Sequence, residues 1–306
     1  MVEVLEVNVD EEIGRYDFIP RFTQAEEKAR TMILTPRKRK IEIVGSIGAG
    51  KSTFAKWLKR ISPTEMKILY ELREDPDDIP DPAINGLKEA VEEVLFEEYY
   101  PDVHKGTKGV SFKSAYDIQV VYARLRLAQR LLAAERDVAA LHDGSVTAGE
   151  FVFCEILNKY FGYLSDDQRR RFEDKALLEI LKAPPTDLII CLTCPAEYAL
   201  ENIVGRQIAK QNRSSETGGT QVKSVTDLPI TLVELVQQQC LIYSMLPKFM
   251  TGVEEREVSD NGTPKRYKAP PIVMIDISRI DPIEQNKHLI FVYETMARAL
   301  ELRKAD

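Results

Sequence analysis

The segment Gly45-Ser46-Ile47-Gly48-Ala49-Gly50-Lys51-Ser52 has the pattern GxxxxGK[ST], and a β-branched run, Ile41-Glu42-Ile43-Val44, leads into it. That combination suits a polyphosphate. Gly45, Gly48 and Gly50 let backbone N–H groups turn inward around phosphate oxygens, and the N-terminus of the helix that follows adds partial positive charge. Lys51 supplies a mobile cation for the β- and γ-phosphates, and the Ser52 hydroxyl is a Mg²⁺ ligand. The nucleotide contacts so defined run from Gly45 to Thr53. The motif specifies a nucleoside triphosphate, ATP being the expected donor, and leaves the acceptor open.

Carboxylates fall where two further strands end. Glu71 follows the strand candidate 67–70, and open parallel sheets place ligands at the carboxyl ends of their strands. A carboxylate there can take a proton from a substrate hydroxyl or orient Mg²⁺. Taken alone, it reads equally as a solvated strand-end group. Asp143 ends another strand in Ala-Ala-Leu-His-Asp-Gly-Ser. It can join a Mg²⁺ ligand shell or make an Asx turn before the next helix. Gln119, Tyr122 and Arg126 recur at spacings of three and four, which puts them within about 60° on one helix face. The Gln amide suits the edge of a nucleobase, Tyr brings a ring and a hydroxyl, and Arg a planar fork of donors. The plain alternative is a polar helix face in water. The stretch 206–227 carries Arg206, Lys210, Arg213 and Lys223 among Ser, Gly and Thr. It reads either as a mobile lid that brings cations over the triphosphate or as a surface loop.

The elements that position these residues alternate. Short apolar runs at 41–44, 67–70, 138–142, 188–192 and 272–277 read as five strands. Helical patterns fill 53–60, 86–99, 114–136, 150–160, 166–181, 197–208, 232–250 and 282–303. The expectation is an α/β fold: a five-stranded parallel sheet with helices on both faces and a lid segment at about 206–228. Residues 1–40 read as an N-terminal extension preceding the main domain, 41–306. The extension ends in Pro36-Arg37-Lys38-Arg39-Lys40, a basic run that is either a nucleic-acid or targeting patch or a solvated start to the first strand.

Composition bounds the reading. The chain has 306 residues, with 42 Lys and Arg against 49 Asp and Glu, a net charge of −7. That balance argues against a surface coated in basic charge for nucleic acid. Cys191 and Cys194 have CxxC spacing, but no second pair or neighbouring His completes a zinc site, and the four cysteines read as buried, reduced thiols. The acidic, mixed N-terminal segment is unlike a secretory signal or transit peptide, and no apolar run approaches the ~20 residues of a membrane span. The expectation is a soluble, cytoplasmic protein with no membrane association.

With these pieces in order, the chain resembles the deoxynucleoside kinase family, which includes deoxycytidine, deoxyguanosine and mitochondrial thymidine kinases. The likeness runs over roughly residues 41–300. Residues 41–58 (IEIVGSIGAGKSTFAKWL) look like the family's first strand, phosphate loop and helix. Tyr70-Glu71 stands where the family has Glu-Pro, and the resemblance implies that Glu71 is the general base for the sugar 5′-hydroxyl. The run from Gln119 to Arg126 is similar to the family's Gln-x2-Tyr-x3-Arg helix, whose Gln reads the base. Asp143 to Phe153 aligns with the Glu-Arg-Ser segment and the helix after it, and Leu228 to Leu232 resembles the segment after the lid.

There are departures. Asp143-Gly144-Ser145 lacks the arginine of Glu-Arg-Ser, a cation worth several kcal/mol in a phosphoryl-transfer transition state. Gly149 replaces an Asp that helps the family select its base, which leaves Arg126 without its expected partner. Leu72 replaces a Pro. In the lid, Arg206 fits one expected Arg, Asn202 and Ile208 stand at two others, and Lys210 or Arg213 can substitute.

Three functions follow. The first is ATP-dependent phosphorylation of a deoxynucleoside 5′-hydroxyl. Glu71 is then the base, Lys51 and Arg206 steady the triphosphate, and Ser52 and Asp143 hold Mg²⁺. Gln119, Tyr122, Arg126 and Phe96 form the substrate side. The second is a kinase on another acceptor: a nucleoside monophosphate, or a hydroxyl of a modified base or a nucleic-acid end, with Arg37–Lys40, Lys105 and Lys108 touching the polyanion. The third is a non-catalytic, nucleotide-binding relative. The resemblance also implies a homodimer.

Overall fold

The computed structural model describes residues 2–8, 18–35, 37–70, 81–93, 112–211, 222–260, 263–280 and 285–302. In chain order the elements are β1 (Val4–Glu6), α1 (Phe18–Leu34), β2 (Lys40–Gly45), α2 (Lys51–Lys59), β3 (Met66–Leu69), α3 (Pro82–Glu93), α4 (Phe112–Glu135) and β4 (Ala139–Asp143). A π-helical turn (Val146–Glu150) then leads into α5 (Phe151–Lys159), α6 (Asp166–Lys182), β5 (Leu188–Thr193) and α7 (Ala196–Gln211). The chain continues through α8 (Ile230–Ser244), α9 (Leu246–Glu254), β6 (Glu257–Asp260), β7 (Thr263–Arg266), β8 (Ile272–Asp276) and α10 (Gln285–Leu302).

Six parallel strands form one sheet in the order β1-β8-β5-β2-β4-β3. β2, which feeds the Gly-rich loop, is central and buried along its whole length. Side chains alternate across the sheet. Ile41, Ile43, Leu188, Ile190 and Leu192 join one core with α1, α2 and α10. Val44, Ile189 and Cys191 join another with α5, α6, α8 and α9. Helices on both faces explain why these strands are apolar runs with little alternation.

Two expectations need correction. The sheet has six strands, not five. The sixth, β1, is three residues long, too short to show a period in sequence, and only Leu5 of the three is buried. The single helix expected over 232–250 is two, broken at Met245. Pro247, which has no backbone N–H to donate, sits in the first turn of α9. The charged stretch after it includes an antiparallel hairpin, β6–β7.

The basic run leading into β2 is largely tied down: Arg39 and Lys40 are buried, Lys38 is partly buried and Arg37 is exposed. Arg37 and Arg39 both pair with Asp187, which is fully buried at the start of β5, and the Lys40 N–H donates to the same carboxylate at 2.9 Å. Lys38 pairs with Glu65 at 2.9 Å. These charges tie β2 to β5 and to the turn before β3. Lys105 and Lys108 lie outside the described residues. Ahead of the basic run, α1 packs along α10, with Ala25, Ala29 and Ile33 against the core and Arg21 bound to Glu294 at 2.8 Å. Among the described residues no helix is long and apolar enough to cross a membrane.

Candidate active site

The Gly-rich loop leaves β2 and enters α2 at the carboxyl end of the sheet. Gly48 has φ +90°, and a Cβ there would lie 2.2 Å from the Ala199 carbonyl oxygen, so only glycine fits. α7 is packed that closely on the loop. Its Asn202 amide donates to Gly48 O at 3.0 Å. From the other side, Gln239 of α8 accepts the Ile47 N–H at 2.9 Å. The Lys51 ammonium is held against the loop by Gly45 O and Ser46 O, each at 3.1 Å. Ser52, at the start of α2, donates to Asp143 Oδ2 at 2.6 Å.

Asp143 and Ser52 come from different segments and meet through this bond. Asp143 Oδ1 is buried and has no hydrogen-bond partner among the described residues. One carboxylate and one hydroxyl, both hard oxygen donors, fit Mg²⁺, which is usually held by one or two protein ligands plus substrate phosphates. Among the described residues no cluster of three or more His, Cys, Asp or Glu forms a self-sufficient metal cage.

α4 carries the other side of the site. Gln119 is 4% exposed and Arg126 9%, so the face they share is inside the protein rather than in water. Gln119 Oε1 is buried without a hydrogen-bond partner among the described residues. Arg126 is fixed from three directions. Its Nε lies 2.8 Å from Glu150 Oε1, its Nη1 donates to Ser145 O at 3.3 Å, and its guanidinium lies 5.7 Å from the centre of the Tyr122 ring.

The sequence left Arg126 unpartnered because Gly149 carries no carboxylate; Glu150, the next residue, supplies it. The π-helical turn makes this possible. Ser145 O accepts from the Glu150 N–H at 3.1 Å, five residues on, and Ser145 Oγ caps the turn at Ala148 N, also at 3.1 Å. The two glycines share one cause. Gly144 has φ +122°, and a Cβ on it would lie 1.6 Å from Arg126 Nη1; a Cβ on Gly149 would lie 3.3 Å from the same atom. Both are the seat of the Arg126 guanidinium.

Below the site lies a buried charge network. Glu42 of β2 is beside His142 of β4 in register. Glu42 accepts from Arg130 of α4 and from Thr186 Oγ1. Burial works to raise the Glu42 pKa, but Arg130 and hydrogen bonds from Ser145 and Thr186 outweigh it and hold the carboxyl below its ordinary range. Burial pushes His142 down to about 3, so it is neutral at physiological pH.

Glu71 and Phe96 lie outside the described residues, as do Glu74, Asp75, Asp77, Asp78 and, in the lid stretch, 212–221. Arg206 is on the exposed side of α7, with its Nε 3.3 Å from Asn202 O. Asn202, at one of the expected arginine positions, touches the phosphate loop itself. Sequence reasoning missed Gln239, Glu150 and Gln129. The last donates from α4 to Tyr70 O at 2.8 Å and so fixes the residue just before Glu71. All three are joined to the site by contacts between segments far apart in sequence, for which no local motif exists.

Loop, carboxylate and polar helix form the frame of a phosphoryl-transfer enzyme of the P-loop kind. The sequence model of the deoxynucleoside kinase family matches residues 41–218, more than half of the chain, and the chain belongs to that family. It is therefore a nucleoside kinase, and its activity is ATP-dependent phosphorylation of deoxynucleosides. Among solved structures, deoxyadenosine kinase from M. mycoides with bound dCTP aligns at 16% identity and a TM-score of 0.48, over 82% of this chain and 96% of its own. The same enzyme with bound dATP aligns at 17% identity and 0.48, over 82% and 97%. No curated protein matches the chain.

Proposed function

We propose that the chain transfers the γ-phosphoryl group of ATP to the 5′-hydroxyl of a deoxynucleoside, with the phosphates on the β2–α2 loop and the nucleobase toward Gln119 and Arg126. The observation that carries this is a continuous set of contacts. Ser52 of the loop holds Asp143, the next residue is Gly144, and Gly144 is the seat of Arg126. The polar side of α4 and the phosphate loop therefore meet at one strand end.

In this reading Lys51 and Arg206 steady the triphosphate while the 5′-oxygen attacks. The new O–P bond forms as the bond to the β,γ-bridging oxygen breaks, and ADP leaves. Glu71, which follows Tyr70 at the end of β3, takes the hydroxyl proton; that role rests on the family resemblance. Ser52 and Asp143 are the residues that fit Mg²⁺, whose part in such reactions is to neutralise charge on the β- and γ-oxygens. Gln119 Oε1, which has no hydrogen-bond partner among the described residues, accepts from a base edge, with Tyr122, Arg126 and Phe96 completing the substrate side. The reading includes a homodimer, implied by the resemblance, and a cytoplasmic location. Sedimentation and cell fractionation test those two.

The decisive experiment is transfer of γ-labelled phosphate from Mg-ATP to each natural deoxynucleoside, its monophosphate and a short single-stranded DNA. Label on a free deoxynucleoside, lost in Glu71→Gln while ATP still binds, is the expected result. Label only on a monophosphate or the oligonucleotide moves the acceptor, and undiminished transfer by Glu71→Gln removes that residue from the mechanism.

A further inference from the structure

Cys194 and Cys240 are far apart in sequence and meet beside the phosphate loop. Cys194 follows the last residue of β5; Cys240 lies on α8. Both are reduced and half-buried. Both pack against the apolar cluster between α7 and α8, and Cys194 Sγ lies 3.8 Å from Ser46 Oγ of the loop. The residue before Cys240 is Gln239, whose side chain holds the Ile47 N–H. Two consecutive residues of the loop are thus held from two sides, Ile47 by Gln239 of α8 and Ser46 by the Cys194 sulfur after β5.

The other two cysteines provide an internal contrast. Cys154 and Cys191 are completely buried, and burial pushes both thiols up. Cys191 donates instead to Tyr243 O at 3.6 Å, so the CxxC spacing is not a functional pair. Cys240 is different: the hydrogen bond from Cys194 lowers its pKa to about 7. The thiolate, the form that reacts with oxidants, is thereby favoured at Cys240.

We propose that Cys194 and Cys240 are an oxidative modification site, which hydrogen peroxide converts to a disulfide that displaces α8 against the phosphate loop and weakens ATP binding. The Cys240 thiolate attacks one peroxide oxygen. A sulfur–oxygen bond forms, the oxygen–oxygen bond breaks, and hydroxide leaves to become water. Cys194, giving up its proton, attacks the resulting sulfenic sulfur. The sulfur–sulfur bond forms and the hydroxyl departs as a second water. Two electrons pass from the thiol pair to one peroxide, and a dithiol reductant reverses the change.

The test treats the full-length protein with hydrogen peroxide, blocks remaining thiols with an alkylating agent and maps non-reduced peptides. The expected result is one Cys194–Cys240 linked peptide and a protein mass lower by two hydrogen atoms. Cys154 and Cys191 should be alkylated only after unfolding. Cys194→Ser should stop at a sulfenic acid on Cys240, trapped by dimedone, and Cys240→Ser should leave Cys194 unoxidised. Affinity for a fluorescent ATP analogue should fall on the order of tenfold on oxidation, as for a displaced binding group, and recover with dithiothreitol. Unlinked cysteines, or a linked pair with unchanged ATP affinity, would overturn the proposal. The wild-type map decides even if a serine variant does not fold, and neither readout depends on which acceptor the enzyme phosphorylates.

Discussion

The two sides of the site are built from different material. The phosphate side is mostly backbone, eight consecutive residues between one strand and one helix, braced by single side chains from α7 and α8. The side proposed for the nucleoside is mostly side chain, drawn from α4, the end of β4 and the π-helical turn, and organised around one guanidinium. A backbone cradle is specified locally and tolerates change in its surroundings. A side-chain cluster works only as a set. Here two glycines and one carboxylate answer one buried cation.

Lys51→Ala should have the largest effect and fall on one side only. Phosphoryl transfer should drop about a thousandfold, or about 4 kcal/mol of transition-state stabilisation, with nucleoside binding unchanged by calorimetry. Weakened nucleoside binding would break the division. Glu150→Ala should do the reverse. It leaves a buried guanidinium without its carboxylate, so stability to urea should fall by about 3 kcal/mol and the nucleoside KM should rise, with ATP affinity retained. Glu150→Gln, which keeps shape and an acceptor, should lose less.

Gly144→Ala sharpens the account of the seat. Its methyl group would meet the guanidinium, and the residue already holds φ +122°. We expect a loss of about 2 kcal/mol in thermal or urea unfolding. Part of it should vanish when Arg126→Ala clears the space, a coupling that a double-mutant cycle reads directly. Additive losses would mean that the two residues do not compete.

Read per unit of pH, the smallest effect comes with acid. The pKa of His142 is about 3 in the folded protein and near 6.5 when unfolded, so the unfolded chain binds the extra proton between those values. Stability should therefore fall as pH drops below about 6.5, by at most about 1.4 kcal/mol per unit. The lowered pKa of Glu42 adds to the same acid loss further down. The urea midpoint of His142→Gln should depend less steeply on pH over the upper part of that range.

How much of this the sequence reveals depends on whether a signal is contiguous. The phosphate loop and the five longer strands are legible because each is a local run of residues. Spacing shows that Gln119, Tyr122 and Arg126 share a face, but the same spacing serves a wet face as well as a buried one, and only packing separates them. Glu150 is hidden by the π-helical turn, whose five-residue hydrogen bond shifts a side chain by one place from where an α-helical alignment puts it. Gln239 meets the loop, and Cys240 meets Cys194, across long stretches of chain that no pattern spans. The basic run before β2 is visible as charge, yet its partner Asp187 sits just ahead of another strand, β5.

The short amino-terminal strand has a consequence for solubility. Glu3 O accepts from Ile272 N at 2.9 Å, and Val7 N donates to Met274 O at 3.0 Å, so β1 covers the outer flank of β8. Without it that flank would present a row of unpaired backbone donors and acceptors, a template on which a second molecule could pair. A chain beginning at residue 9 should aggregate at concentrations where the full chain stays dispersed, which light scattering would show. Three residues at the margin of the sheet thus act as a guard against self-association.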